Sequence, residues 1–243
     1  MAEDVAAKTA NLPRIRPESG HEPASGIASP PRAGAASKTG HAPKTSKGER
    51  TRQRILDAAE REIGRRGFAE TSISSITQEA EVAQGTFYVY FHSKEDVLRE
   101  LVLRMGRRLR RALTQASAGL TGRLAIERAG IHAFFAFVRD NPNLYRVVAE
   151  SQFVDEAAYR RYYNDFAASY RTGLAAAAAT GEIAPGDAEL RAWALMGVCD
   201  MVGRRYALWD TEASIEAAAE EAFRFVAQGL APHGLVAPAG GRR

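Results

Sequence analysis

Cysteine is nearly absent from this chain of 243 residues, in which Cys199 is the only one. A single cysteine excludes an intrachain disulfide and a zinc site made of several thiolates, and it fits a reducing compartment. Because an isolated cysteine usually behaves as a small hydrophobic residue, we expect Cys199 to be buried and to have a packing role.

Long apolar runs are absent as well. No stretch approaches the roughly 18 apolar residues of a membrane-spanning helix, and the N-terminus lacks the charged and apolar regions of a secretory signal. We therefore expect a cytoplasmic protein without a membrane partner. The formal net charge of +4 is a small excess, which permits a polyanionic partner but does not identify one.

The residue groupings typical of enzymes are also missing. The sequence has no set of His, Asp and Glu at metal-ligand spacing, no glycine-rich phosphate loop and no nucleophile elbow. We therefore expect a protein that is not an enzyme and that uses neither a cofactor nor a metal ion.

The alternation of apolar and polar residues that marks strands does not occur, whereas helical periodicity is present from about residue 48 onward. For example, Ile55, Ala59 and Ile63 share one face, and Gly67 follows as a helix stop. The sequence thus predicts an all-α fold, with a three-helix N-terminal domain that contains a helix-turn-helix and a larger C-terminal helical bundle.

Composition and periodicity divide the chain into four segments. The first is rich in Pro, Ala, Gly, Ser and Lys, and it has too few large apolar side chains to offset the entropy of ordering it. Its basic residues could lie along phosphates or could merely keep the chain in solution. The predicted segments are a disordered basic tail (1–47), a helix-turn-helix domain (48–95), a C-terminal helical domain (96–231) and a flexible C-terminal tail (232–243).

The segment AQGTFYVYFHSK in the N-terminal domain is unusually aromatic. It forms the third of three short predicted helices and follows a turn of three or four residues, which is the layout of a helix-turn-helix. On this helix Phe87 and Phe91 can face a small core, while Thr86 and Tyr90 share a different face. The same pattern also fits a compact helical hairpin that never touches DNA.

A longer set of residues at fixed spacing surrounds this helix. In order, it comprises RILDAA (54–59), GF (67–68), TSI (71–73), Ile76, Ala80, Val82, GTFY (85–88), YF (90–91) and SKED (93–96). With these motifs, the chain from about residue 49 to 98 resembles the DNA-binding domain of the tetracycline-repressor (TetR) family of bacterial regulators. The C-terminal part is similar to that family's ligand-binding and dimerisation domain in length and class, but it supplies no motif.

The resemblance implies that the third helix reads the major groove of double-stranded DNA. The implied contact residues are Gln84, Thr86 and Tyr88 for bases and phosphates, Tyr90 and Lys94 for backbone phosphates, and Thr51 and Ser72 near helix N-termini that approach phosphates. From the residues themselves, the amide of Gln84 suits the adenine edge. Gly85 has no side chain, so it lets the helix backbone approach the duplex closely.

Two residues before this helix depart from the family's pattern. The family usually has glycine where this chain has Glu81, and often a capping serine or threonine where it has Ala83. A non-glycine residue in a left-handed helix cap costs on the order of 1 kcal/mol. Either the turn adopts another conformation, or the domain tolerates the strain.

Aromatic residues are concentrated in the C-terminal part, with a few polar side chains among them. An apolar cavity with a few polar groups is typical of a small-molecule site, and the resemblance implies such a site here. However, Tyr159, Tyr163, Phe166 and Tyr170 have a spacing that equally describes a core stripe. The candidate effector-binding residues are His132, Phe135, Arg139, Tyr145, Gln152, Tyr159, Tyr163, Phe166 and Trp193.

Two further features concern the C-terminal helices. Five arginines between residues 104 and 111 could favour a nucleotide ligand, but such a run usually forms a solvated face. The last two helices, about 187–209 and 211–230, match the helices through which the family forms dimers. The faces expected to take part carry Leu190, Trp193, Gly197 and Met201, and then Ile215, Ala219, Ala222, Val226 and Leu230.

Together with the resemblance, these features predict a ligand-responsive transcriptional repressor. It would bind a palindromic operator as a homodimer, be associated with the nucleoid when bound, and be released by a small lipophilic effector of an acidic or acyl-CoA type. The alternative is a DNA-binding regulator without a small ligand, which a protein partner or its own abundance controls. A solid core between the fifth and eighth helices would favour that alternative.

Overall fold

The computed structural model describes residues 45–210 and 212–231. The predicted tails, 1–47 and 232–243, lie outside these residues except for Thr45, Ser46 and Lys47. Those three belong to the start of the first helix, which begins slightly before the predicted boundary at residue 48. The reason is a cap, because the hydroxyl of Thr45 accepts a hydrogen bond from the Gly48 amide at 3.1 Å.

The described residues form helices connected by short loops, without a strand. The helices are α1 (Ser46–Arg66), α2 (Ile73–Glu79), α3 (Gln84–Tyr90), α4 (Lys94–Ala116), α5 (Arg123–Asp140), α6 (Pro142–Val154), α7 (Glu156–Ala179), α8 (Ala188–Gly203) and α9 (Ile215–Leu230). A π-helical turn, Arg204–Trp209, continues α8. The predicted all-α fold is confirmed, and no helix of the described part is both long enough and apolar enough to cross a membrane.

The first three helices enclose a small core. Ile55 and Ala59 of α1, Ile76 of α2 and Phe87 of α3 are fully buried there, and Phe91 is almost fully buried. The rings of Phe87 and Phe91 lie 5.7 Å apart, as their i,i+4 spacing predicts. This core fixes the orientation of α3, so the opposite side of that short helix is left exposed.

The turn between α2 and α3 keeps the left-handed conformation that glycine would favour. Glu81 has φ +51°, and it is the one non-glycine residue with positive φ in the described part. Its amide donates to Gln78 O and the Val82 amide donates to Thr77 O, both at 3.0 Å, which are the two bonds of a Schellman motif. Arg54 donates to Ala80 O at 2.6 Å and to Glu81 O at 3.3 Å. The turn therefore has its usual geometry, and these hydrogen bonds offset its strain.

Helices α4 and α6 connect the N-terminal helices to the rest of the chain, since both pack against α1. Helix α6 also contacts α4 and α7, so it lies between the helix-turn-helix and the C-terminal bundle. Helices α5, α7, α8 and α9 complete that bundle, in which α7 packs on α8 and α5 packs on α9.

The apolar stripe of α9 corrects one expectation. Ile215, Ala219, Ala222, Val226 and Leu230 are buried within the chain, where α9 packs on α5. They cannot also face a second subunit. The exposed apolar residue of this helix is instead Phe225, with 68% of its surface accessible.

Candidate DNA-binding face and ligand cavity

One side of α3 is exposed and carries most of the residues expected to contact DNA. Gln84, Gly85 and Tyr88 are exposed, and Tyr88 has 51% of its surface accessible although the adjacent Phe87 has none. Thr86 and Tyr90 are half-buried, and Tyr90 packs against the core. The short helix thus separates ring packing on one side from exposed polar and aromatic groups on the other.

A side chain at position 85 would have free space around it. A Cβ atom built on this residue would meet no heavy atom within 4 Å, and its φ is not positive. Packing within the chain therefore does not require glycine at this position of α3. The helix surface at Gly85 is therefore open to a close approach by another molecule.

Thr51 and Ser72 have hydroxyls that already serve their own helices. The hydroxyl of Thr51 donates to Lys47 O at 3.1 Å within α1. The hydroxyl of Ser72 accepts from the Ser75 amide at 3.0 Å, and the Ser75 hydroxyl accepts from the Ser72 amide, which completes a capping box. Ser72 is exposed at the start of α2, whereas Thr51 is half-buried in the second turn of α1.

Lys94 is placed differently from the other expected DNA contacts. Its ammonium group donates to Phe68 O at 2.6 Å and to Thr71 O at 2.5 Å, and it lies 4.2 Å from the centre of the Phe68 ring. These contacts hold the loop between α1 and α2 against the start of α4. A phosphate would have to compete with two charge-assisted hydrogen bonds, so Lys94 has a structural role that the sequence pattern did not reveal.

The C-terminal bundle contains a cavity of about 300 Å³ that is lined by α4, α5, α6, α7 and α8. Apolar and aromatic side chains form much of its wall, including Leu113, Phe134, Val148, Phe166 and Met196. This volume is at the lower end of the range for small-molecule sites, roughly 300–1,000 Å³. The core between the fifth and eighth helices is therefore not solid.

Two networks of arginine, carboxylate and tyrosine border the cavity. In the first, Arg123 donates to the fully buried carboxylate of Glu127 at 2.7 Å, and the Tyr170 hydroxyl donates to the other oxygen of that carboxylate at 2.7 Å. Burial, followed by the charge of Glu127, raises the pKa of Tyr170 well above its ordinary value. The buried carboxylate is thus neutralised by an arginine and satisfied by a phenol.

The second network joins α6 to the end of α8. The Tyr145 hydroxyl donates to the Asp200 carboxylate, which Arg204 pairs with at 3.1 Å. Burial, followed by the Asp200 hydrogen bond, raises the pKa of Tyr145, so this phenol stays protonated and acts as a donor. The arginine and the carboxylate again balance each other's charge.

A third polar pair in the cavity was not anticipated from the sequence. Arg110 and Tyr162 both line it, and the guanidinium of Arg110 lies 5.3 Å from the centre of the Phe166 ring. The arginine run on α4 had indicated a solvated face, yet Arg110 is partly buried. The available signal was its position beside Leu109 and Leu113, at the edge of the apolar stripe of α4.

The candidate effector residues do not all reach the cavity. Tyr145, Tyr163 and Phe166 line it, and Tyr159 and Trp193 line an adjoining cleft between α7 and α8. The other four are absent from both walls. Phe135 is fully buried in the core, Gln152 is exposed, His132 lies 3.2 Å from Glu220, and Arg139 donates to Tyr206 O at 2.8 Å and to Ala213 O at 3.0 Å.

An exposed apolar strip follows α8. Leu190 and Met201 have 68% and 57% of their surface accessible, Trp193 has 41%, and Gly197 between them is also exposed. These positions share a helix face, and a Cβ on Gly197 would meet nothing within 4 Å. Contiguous exposed apolar residues of this kind are typical of a protein interface.

Comparison with known proteins agrees with this architecture. Residues 55–101 match the family model for bacterial regulatory proteins of the tetR family. A TetR-like transcriptional regulator from Rhodococcus sp. RHA1 is 25% identical, with a TM-score of 0.61 over 74% of this chain and 94% of that chain.

Two proteins named FadR share the fold. FadR from Bacillus halodurans, a fatty acid degradation regulator, is 22% identical, with a TM-score of 0.66 over 76% of this chain and 96% of its own. The transcriptional regulator FadR from Bacillus subtilis, solved in complex with stearoyl-CoA, is 22% identical, with a TM-score of 0.66 over 73% of this chain and 98% of its own. The N-terminal helices thus match the DNA-binding domain of bacterial regulatory proteins of the tetR family, and the chain shares the helical architecture of these regulators.

Proposed function

We propose that this chain is a ligand-responsive repressor and not an enzyme. Residues 48–95 bind a palindromic operator, and residues 96–231 bind an effector and form a homodimer. It acts in the cytoplasm, on the nucleoid when bound to its operator. The observation that carries the proposal is the coexistence, in one chain, of an exposed helix in a tetR-type DNA-binding domain with a cavity in the C-terminal bundle.

The DNA-binding part rests on the exposed side of α3. Gln84 and Tyr88 can reach base edges and phosphates, while Thr86, Tyr90 and the neighbouring Ser72 and Thr51 offer hydroxyls to phosphates. Gly85 permits the close approach that these short side chains need. Lys94 can add a phosphate contact only if the phosphate competes with its three contacts to backbone carbonyls, of which the one to Ala69 O is the longest at 3.5 Å.

Replacing Gly85 tests this proposal directly. Gly85→Ala should not lower the thermal stability, because alanine favours a helix by up to about 1 kcal/mol and nothing obstructs its methyl group. Operator affinity should nevertheless fall, because the methyl group would separate α3 from the duplex. Gly229→Ala in α9, which also has open space, is the control and should bind normally. If a selection from random duplexes at low salt enriches no palindrome, the proposed function is wrong.

The homodimer is supported by the exposed strip on α8 and by Phe225 on α9. Two subunits could then present their recognition helices to half-sites one helical turn apart, a spacing near 34–36 Å. Replacing Leu190 and Met201 together by glutamate should produce monomers in light scattering and weaken operator binding. A dimer that persists unchanged would place the interface elsewhere.

The effector part rests on the cavity and on its apolar wall. A regulator without a ligand has no need for a cavity of about 300 Å³ in its helical bundle, because such a cavity lowers packing density. The fold shared with two FadR proteins supports a lipophilic compound of the acidic or acyl-CoA type. Tyr145, Tyr163 and Phe166 are the candidate contact residues that line this space.

Release of DNA requires coupling between the cavity and the recognition helices. Helix α4 is the proposed lever, since Leu109 and Arg110 line the cavity and its first turn adjoins α3. Shifting a population from 99:1 to 1:99 needs about 5.5 kcal/mol of differential affinity. By reciprocity, operator DNA must weaken effector binding by the same factor by which the effector weakens operator binding. Calorimetry with and without operator measures this, and equal effector affinity in both titrations would exclude the mechanism.

A further inference from the structure

Three arginines reach the cavity, but they differ in their partners. Arg123 is paired with Glu127 and Arg204 is paired with Asp200. Arg110 has no carboxylate within ion-pair distance among the residues that the structure describes, and its guanidinium lies over the Phe166 ring instead. A partly buried cation without an anionic partner is electrostatically unfavourable, because burial weakens its solvation by water and no negative charge replaces it.

The hydroxyl of Tyr162 also lacks a polar partner in the same part of the cavity wall. Its hydroxyl makes no hydrogen bond to another described residue, although the side chain is largely buried in the cavity wall and its ring packs on Tyr163 and Phe166. Burial, followed by the negative charge of Asp200, raises the pKa of Tyr162, and the positive charge of Arg110 opposes that rise. The phenol is therefore protonated, and it can donate a hydrogen bond that the chain does not use.

We propose that Arg110 and Tyr162 bind the carboxylate of the effector, and that the effector is a free monocarboxylic acid with an apolar body. This rests on the proposed function, since it assigns a ligand class to the same cavity. The carboxylate accepts hydrogen bonds from the guanidinium and from the phenol. The apolar body lies against Phe134, Val148, Phe166 and Met196, which form the adjacent wall.

The charges of the cavity favour a monocarboxylic acid over an alcohol, an amine or a coenzyme A thioester. An alcohol would leave Arg110 without an anion, and an amine would be repelled by it. A coenzyme A thioester has a neutral carbonyl where the acid has a carboxylate. Its several phosphates would need more cations than the single unpaired one, since Asp200 and Glu127 already occupy the other two arginines. The cavity is also small for a nucleotide in addition to an acyl chain.

The test uses the full chain and four probes that share one ten-carbon body, namely decanoate, decanol, decylamine and decanoyl-CoA. Affinities are measured by calorimetry for the wild type, Arg110→Gln, Tyr162→Phe and Arg111→Gln. Arg111 is the next residue of α4, is exposed and does not line the cavity, so it controls for loss of one positive charge. Circular dichroism melts and operator binding without a probe show that each variant is folded and active.

The wild type should bind decanoate at least tenfold more tightly than decanol, roughly the factor expected for a charge-assisted hydrogen bond. Arg110→Gln should abolish most of that difference by weakening decanoate alone, Tyr162→Phe should weaken decanoate less, and Arg111→Gln should change neither affinity. Decylamine and decanoyl-CoA should bind more weakly than decanoate.

Three results would overturn the inference while leaving DNA binding untouched. They are equal affinity for decanoate and decanol, tighter binding of decanoyl-CoA than of decanoate, and no binding of any probe by a wild type that still binds its operator. An equal loss in Arg110→Gln and Arg111→Gln would also overturn it, because the effect would then be one of net charge. Failure of the wild type to bind any operator would instead contradict the proposed function.

Discussion

The N-terminal and C-terminal helices use their aromatic residues in opposite ways. In α3 and directly after it, Phe87 and Phe91 are buried, whereas Tyr88 between them has 51% of its surface accessible. In α7, Tyr162, Tyr163 and Phe166 point from the helix into the wall of a cavity, where their rings pack edge to face on one another. The N-terminal region thus exposes polar and aromatic groups on the outside of a closed core. The C-terminal region instead places its aromatic groups around a cavity inside its core.

This difference determines how each region tolerates change. On the outer side of α3, a side chain can be removed without leaving a void, so binding and stability separate. Around the cavity, a side chain that could contact a ligand also supports the bundle, so binding and stability are linked there. The following experiments test that distinction, beginning with the largest expected effect.

Replacing the adjacent residues Phe87 and Tyr88 of α3 one at a time gives the largest expected difference between a buried and an exposed side chain. Phe87→Ala should destabilise the protein by about 3–5 kcal/mol, because its ring fills the centre of the small core. Tyr88→Ala should cost no more than about 1.5 kcal/mol, from the edge-to-face contact of its ring with Phe87 at 5.5 Å, but it should weaken operator binding. Chemical denaturation and fluorescence anisotropy measure the two effects. If Tyr88→Ala proves as destabilising as Phe87→Ala, the outer side of α3 is part of the core and the comparison fails.

Lys94 is the exception within the N-terminal region. Lys94→Met should cost about 1.5–3 kcal/mol of stability, because its ammonium group donates to Phe68 O and Thr71 O. The dependence of operator affinity on salt should stay unchanged, since these contacts are internal. Lys47→Met at the exposed start of α1 is the control for charge. A fall in the salt slope of about one unit for Lys94→Met would show instead that Lys94 neutralises a phosphate.

The helices could be predicted from periodicity and caps, because each signal is local. The elements against which a helix face packs could not be predicted in this way. The stripe of α9 is equally suited to a second subunit and to α5, and only the tertiary structure shows that α5 covers it. Likewise, the sequence does not distinguish Arg110 from the other arginines on α4. It lines the cavity because α7 places Tyr162 and Phe166 beside it.

The candidate site shows the same limit. A family pattern could identify the recognition helix because its residues are contiguous. The residues that line the cavity are dispersed over five helices, so composition identified aromatic-rich helices but could not separate Tyr145, which lines the cavity, from Phe135, which packs in the core. Arg139 looked equally suitable, yet its guanidinium holds the chain between α8 and α9.

Alkaline pH should affect the cavity region selectively. Burial raises the pKa of Tyr145, Tyr162, Tyr163 and Tyr170, and it raises the pKa of Cys199 to about 12. In the unfolded chain the phenols ionise near pH 10, so above that pH the unfolded state has lost protons that the folded state keeps. Stability is therefore complete below this range and falls as pH rises, by about 1.4 kcal/mol per pH unit for each such tyrosine.

Urea denaturation from neutral pH to about pH 11 measures this loss. Tyr163→Phe removes one of the groups while keeping its ring, so its stability should fall less steeply with pH than that of the wild type. A variant with the same slope as the wild type would mean that Tyr163 ionises in the folded protein as it does in the unfolded chain.

The smallest expected effect concerns α6, the helix on which the two regions meet. Tyr145, Val148 and Ala149 of this helix line the cavity. On another face, the Glu150 carboxylate accepts a hydrogen bond from the Phe68 amide just beyond α1. Arg146, which pairs with Glu150 at 3.0 Å, also donates to Gly64 O at 3.1 Å. A ligand that moves the cavity wall therefore moves groups that hold the end of α1.

Glu150→Gln should weaken this connection without altering the cavity, because the neutral amide binds both the amide donor and the arginine less strongly. We expect the affinity for decanoate to stay the same in the absence of DNA. The factor by which decanoate weakens operator binding should shrink by about fivefold, or about 1 kcal/mol of coupling. Glu156→Gln, in an exposed pair with Arg160 on α7, is the matched control and should couple normally. Anisotropy titrations of operator with and without decanoate decide the matter. If Glu150→Gln retains full coupling, the signal passes through α4 alone, and the two regions are joined by one helix rather than two.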